Sequence, residues 1–289
     1  MSDTIAKTRV ARLSVLSNAF LVLAKLAIGF LTGSVSILAE AIHSGIDLVA
    51  AVIALFAVLV SGRPPDKEHA YGHGKFENIS GTVEALLIIA AAVYIGCEAV
   101  QKFIHGAELK RLGIGMAVMF VSAVMNWIVS ARLFRVAEQT DSIALEADGH
   151  HLRLDVYTSI AVFVGLVVVY ITELVVIDQL LALGVALWIA WIGIQISRKA
   201  LGPLLDLQLP LAEVERIVSI IDSDERLLGY HKLRTRKAGA QRHVDVHLLL
   251  RQNTSLIDAH NLAEEVEDKI RAEFDNVTVV THVEPPEEA

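Results

Sequence analysis

The chain has 289 residues, with 25 Lys and Arg against 33 Asp and Glu for a net charge of −8, and 54% of its residues are hydrophobic. A mean hydropathy of +0.54 is too high for an ordinary soluble domain and calls for membrane spans. The acidic balance, with no sustained Lys/Arg patch, argues against nucleic acid as a partner, and the single cysteine, Cys97, excludes an intramolecular disulfide or a CxxC metal site.

Six apolar segments come first. Residues 13–31 follow Lys7, Arg9 and Arg12, as a signal peptide would, but no small-residue cleavage site is present and five more segments follow, so they are read as the first span. Residues 37–61 carry Glu40, His43 and Asp47, and residues 83–104 carry Glu84 and Glu98. Residues 112–131, 156–172 and 179–197 hold no Asp, Glu, Lys or Arg, and each approaches the roughly 20 residues a helix needs to cross a bilayer. With both termini inside, the cytoplasmic ends and loops hold Lys7, Arg9, Arg12, Arg63, Lys67, Lys75, Arg132, Arg135, Arg198 and Lys199. The outer loops hold only Lys102, Lys110 and Arg111, so the excess of bases predicts cytoplasmic termini.

The character changes after Pro203 and Pro210. Residues 1–207 are nearly balanced, whereas residues 208–289 hold 16 acids and 10 bases. Residues 211–222 predict an amphipathic helix, 231–237 and 242–250 two strands, 257–274 a second helix and 276–283 a third strand. That order suits a small α+β ferredoxin-like domain, so the expectation is a six-helix membrane domain over 1–207 and a separate soluble domain over 208–289.

A carboxylate inside a span is costly and marks a functional site by default. The segment AEAIHSGID gives His43 and Asp47, and ADGHHLRLD gives His151 and Asp155. A spacing of four puts each pair on one helix face. Two such helices packed face to face would offer two nitrogens and two oxygens, a set suited to tetrahedral zinc. One pair alone is equally met by an interfacial helix end or an aspartate bonded to a neighbouring helix; the repetition is what favours a site. In PPDKEHAYGHGKFEN, Asp66, His69 and His73 could hold a metal, although spacing alone is met as well by a solvated loop. His231, His247 and His282 fall on the three predicted strands and His260 on the second helix. Glu284 follows two residues after His282, and His243 and Asp245 share the face of His247 as further ligands or plain surface.

Taken together, TGSVSILAEAIHSGID, DKEHAYGHGK, EADGHHLRLD, PLLD, HKLRTR, VDVH, DAHN and VVTHVEP resemble the cation diffusion facilitator family from the first span nearly to the C-terminus. The resemblance implies a homodimeric exporter of divalent transition metal from the cytoplasm, exchanging the ion for protons. It implies a transport site of His43, Asp47, His151 and Asp155, a loop site of Asp66, His69 and His73, and a binuclear cytoplasmic site of His231, His247, His260, His282 and Glu284. It also implies an ion pair between Lys75 and Asp206 at the dimer. Some bacterial members have aspartate at the position of His43, which bears on metal choice, and aspartate is frequent at the position of Glu284.

The expected function is therefore export of zinc, with cadmium tolerated, across a bacterial inner membrane. Zinc would be both cargo and a structural or regulatory ion, and protons the counter-ion. An iron or manganese exporter is the nearest alternative. A membrane-tethered metal sensor would leave His43, Asp47 and Asp155 unexplained, and no HExxH motif supports a metallohydrolase, so no enzyme is expected.

Overall fold

The computed structural model describes residues 2–33, 35–105, 114–172 and 175–286, and the chain divides into two compact units, Met1–Leu201 and Gly202–Ala289. Lys110 and Arg111, which entered the orientation argument, lie outside the described residues.

Six long helices make up the apolar part: α1 (Ser2–Thr32), α2 (Val35–Ser61), α3 (Lys75–His105), α4 (Ile114–Thr140), α5 (Ile143–Thr172) and α6 (Val175–Leu204). All but α2 run well beyond the apolar segments that announce them, because polar residues at their ends include good helix formers. Among the described residues, α1, α2, α3, α4 and α6 are long and apolar enough to cross a membrane by length and composition. The fifth carries Glu146, Asp148, Arg153 and Asp155 in its first half. The sequence pattern starts this span at 156, whereas the helix starts at Ile143. His151 and Asp155 therefore sit more than two and three turns inside α5 rather than at its mouth.

Helix α1 lies along α2 and α4 along α5, while α3 packs on α2 and α5, and α2 meets α5. Small residues set these distances: Ala11, Ala54, Ala85, Ala144 and Ala147 are wholly buried. A Cβ at Gly193 on α6 would come within 2.7 Å of the Ile89 side chain on α3, so only glycine permits this approach. Outward faces carry Leu16, Phe30, Val49 and Leu187, whereas Asn18, Lys25, Asp47, Glu84 and Asp148 are buried. This inverted pattern is what hydrocarbon demands, since lipid tails solvate leucine as well as a core does and do not solvate a carboxylate at all.

One buried carboxylate ties four helices together. Glu77 on α3 accepts from Lys7 Nζ of α1 at 2.9 Å and from Ser61 Oγ of α2 at 2.8 Å. Its other oxygen accepts from the hydroxyl of Ser142, directly ahead of α5. Removing one member of such a buried set strands the others, at a cost of about 3 kcal/mol or more. Glu77→Ala should therefore lower the melting temperature of the detergent-solubilised protein markedly, and Glu77→Gln, which still accepts, less so; equal melting of Glu77→Ala and wild type would dismiss this hub.

The second unit holds α7 (Leu211–Asp222), β1 (Gly229–Ala238), β2 (Gln241–Leu249), α8 (Leu256–Glu273) and β3 (Val277–Glu284). This is the element order read from the sequence, with boundaries shifted by one or two residues. Ser255 caps α8 by accepting from the Asp258 amide at 3.2 Å. The three strands lie in the order β1-β2-β3, with β1 and β2 antiparallel and β2 and β3 parallel. Alternation along β2 sends Val244, Val246 and Leu248 into a core with Ile217, Ile221, Leu262, Val266 and Ile270 of the helices. Beside that core, buried Asp224 accepts a bidentate pair from Arg226, both at 2.8 Å, and a third bond from Lys269 at 2.9 Å. The Arg226 bonds hold its carboxyl far below the usual carboxylate range.

Candidate metal centres

Helices α2 and α5 bring the two His-x-x-x-Asp faces together. His43, Asp47 and Asp155 present ligand atoms that all lie within 4.8 Å of one another, with His43 Nε2 at 4.0 Å from Asp155 Oδ1. The His151 Nε2 is 3.0 Å from Asp47 Oδ1. Asp47 and His151 are buried, whereas the His43 side chain is 52% exposed and that of Asp155 25%. His43, Asp47 and Asp155 thus converge as a triad, His151 joins it through its bond to Asp47, and the His43 side is the more open one. Such a donor set fits a borderline cation such as zinc.

The loop between α2 and α3 closes on Asp66. Its Oδ1 accepts from the amides of Glu68 and His69 at 2.9 and 2.7 Å, an arrangement that aspartate makes readily in turns. The His69 bond, first among several causes, lowers the Asp66 pKa, so it is an anion at neutral pH. Gly72, at φ 81°, lets the chain reverse and returns His73 Nε2 to 3.3 Å from Asp66 Oδ2. His69 Nδ1 lies 3.4 Å from Oδ1, and the ligand atoms of Asp66, His69 and His73 converge within 4.8 Å.

In the second unit the strand register does the work. His231 stands opposite His247, and His247 opposite His282, so three histidines form one row across the sheet. Since Val246 and Leu248 face the helices, this row lies on the other face. A bulge between His231 and Arg234, with Lys232 at φ 53°, re-aims His231 at the edge. His231 bonds Glu284 closely, and that bond, above all, depresses the Glu284 pKa. His247 Nδ1 lies 3.3 Å from Glu284 Oε1, and His282 Nε2 lies 3.5 Å from Oε2. His231, His247 and Glu284 form the compact triad, with the exposed His282 ring 4.7 Å from that of His247. His260 stands on α8 beside Glu264, at 3.6 Å, and is not in the triad. His243 is buried and Asp245 exposed. Asp206 pairs with Arg236 at 3.6 Å within this unit, and Lys75 opens α3 in the other.

Two further buried groups lie on the helices around this site. Lys25 is buried and donates to Ser44 Oγ at 2.8 Å and to Glu40 at 3.3 Å. Glu84 is wholly buried and stands 3.8 Å from the other nitrogen of His151. The available signal for Glu84 was its spacing of seven from Glu77 on one helix face.

Residues 11–205 match the transmembrane domain of cation efflux proteins, and residues 209–286 match the cytoplasmic domain of cation efflux proteins. The uncharacterised transporter sll1263 of Synechocystis is 33% identical over 91% of this chain and 86% of its own. The cation-efflux pump FieF of Citrobacter koseri is 32% identical over 96% of this chain and 92% of its own. A solved structure from work on CzrB is 36% identical, covering 27% of this chain and 98% of that one with a TM-score of 0.26. With both domains matched in order over nearly the whole length, the chain belongs to the cation efflux, or cation diffusion facilitator, family of transmembrane metal-cation transporters.

Proposed function

We propose that this protein is a homodimeric exporter that carries zinc, and tolerates cadmium, out of the cytoplasm in exchange for protons. The observation that carries the reading is the convergence of His43, Asp47 and Asp155 from α2 and α5, with His151 bonded to Asp47. In this reading α5 is the sixth span, its charged half shielded by α2, α3 and α4, and the membrane is a bacterial inner membrane. The excess of bases puts both termini on the cytoplasmic side.

Zinc binds only to deprotonated donors, so loading from the cytoplasm must release the proton shared by His151 and Asp47 and any proton on His43 or Asp155. Reprotonation from the other side weakens the site and expels the ion. Rocking of α2 and α5 against the remaining helices would expose the pocket to one side at a time. The loop triad and the histidine row would hold further zinc in structural or regulatory roles, His282 and His260 completing a binuclear site on the ferredoxin-like domain. Lys75 and Asp206 would pair at the dimer, where a partly shielded ion pair is worth more than an exposed one.

Asp155→Ala leaves three donors and removes a charge. Zinc flux in proteoliposomes should fall to the lipid background while the variant elutes as wild type; undiminished flux would take Asp155 out of the site. Absence of zinc-driven proton counterflow in the wild type itself would favour a membrane-tethered sensor.

Replacing His43 by Asp changes two nitrogens and two oxygens to one nitrogen and three oxygens, which suits harder ions. Competitive uptake across pH 6 to 8 should show manganese, iron or cadmium gaining on zinc, with an altered pH profile because a carboxylate has replaced an imidazole as the proton-binding donor. An identical ranking and profile in the two proteins would show that His43 is not a ligand.

The 208–289 fragment, with its own apolar core, should gain about 10 °C or more in melting temperature at zinc concentrations 100-fold above Kd. Loss of that gain in His231→Ala, His247→Ala assigns it to the row; persistence there assigns zinc elsewhere.

A further inference from the structure

Glu84 is a buried ionisable group to which the transport chemistry above gives no part. Its side chain is 1% exposed, and neither of its oxygens takes a hydrogen bond from a described residue. A carboxylate left in this state deep in a helix bundle is expensive and calls for a role. What faces it is His151: Nδ1 of that ring is 3.8 Å from Glu84 Oε2, while Nε2 of the same ring is 3.0 Å from Asp47 Oδ1. The imidazole is strung between a carboxylate of α2 and one of α3.

A histidine that binds a cation gives the lone pair of one nitrogen and keeps its proton on the other. Nε2 is the nitrogen that looks into the cluster of Asp47, so Nδ1 must carry the proton when an ion is bound. In a dry interior that N–H needs an acceptor, and an approach of roughly one ångström would make Glu84 that acceptor at ordinary hydrogen-bond length. Glu84 and Asp47 face opposite nitrogens of the ring. We propose that Glu84 is the positioning residue of the transport site, accepting the Nδ1–H of His151 and so fixing the tautomer and aim of Nε2. This rests on the assignment of His43, Asp47, His151 and Asp155 as transport ligands.

Glu84→Gln keeps an acceptor oxygen at the same reach, and Glu84→Leu removes it at similar volume. In zinc flux, Glu84→Leu should raise KM about 10- to 100-fold with a much smaller change in kcat, while Glu84→Gln stays within about threefold of wild type. Equilibrium dialysis of zinc against full-length Asp66→Ala, His247→Ala protein, with the transport ligands intact, should rank the same two changes in the same order. The melting temperature of ion-free Glu84→Leu should be unchanged or higher, since a buried unpaired charge has gone. If Glu84→Leu does not purify as a folded protein, Glu84→Ala, which only deletes atoms, replaces it. Wild-type KM and zinc affinity in Glu84→Leu overturn the proposal. Equal losses in Glu84→Gln and Glu84→Leu overturn it too, because the role would then be one of charge. Absence of zinc binding by the Asp66→Ala, His247→Ala protein with Glu84 in place would instead overturn the transport-site assignment itself.

Discussion

A charged group removed from water must be answered by another group, and the helical unit is arranged around that constraint. Ionised side chains in hydrocarbon cost several kcal/mol each unless paired or kept near a wet cavity. Several of the buried charges here meet that demand, each in its own way. Lys7 and Glu77 answer one another with two serines in support, Lys25 is held by Ser44 and Glu40, and Asp47 is held by His151. The first pair holds helices together, whereas the last stands beside the half-exposed His43.

The two units divide the same chemistry between two solvents. In the helical unit, donors sit inside and aliphatic side chains outside. In the α+β unit, the valines and leucines of β2 fill the core and the histidines stand on the opposite face. A donor set inside a bundle can be reached only by way of the helices that enclose it, which suits an ion in passage. A donor set on a sheet face is reached from solvent directly, which suits an ion that binds and stays.

Much of this was legible in the sequence. The apolar segments announced the helices, and alternation with turn residues announced the strands to within one or two residues. The His-x-x-x-Asp pairs were visible because helical spacing is local. What the sequence left out was whatever depends on distance along the chain. Glu84 and His151 are separated by 67 positions, and nothing in the run SGTVEALLII marks that glutamate as facing an imidazole rather than a lysine. The start of α5 was also missed, since a hydropathy window stops at Asp155 whereas the backbone needs only good helix formers and a serine ahead of Ile143 to begin earlier. Where His260 stands relative to the strand histidines was likewise illegible, because a helix residue's side cannot be fixed against a sheet without knowing their packing.

The pairing of β2 with β3 has one more consequence. His247 and His282 are opposite each other only in the register observed, and side chains alternate between faces with a period of two. A slip of one residue would carry His282 to the helix side, against the aliphatic core, and would bring Thr281 or Val283 into the row in its place. The core and the donor row are thus two readouts of a single alignment. An incorrectly zipped sheet loses apolar packing and buries an unsatisfied imidazole in the same step, so it offers no half-assembled site to a passing ion. Fidelity of strand pairing in this domain thus decides the core and the histidine row together.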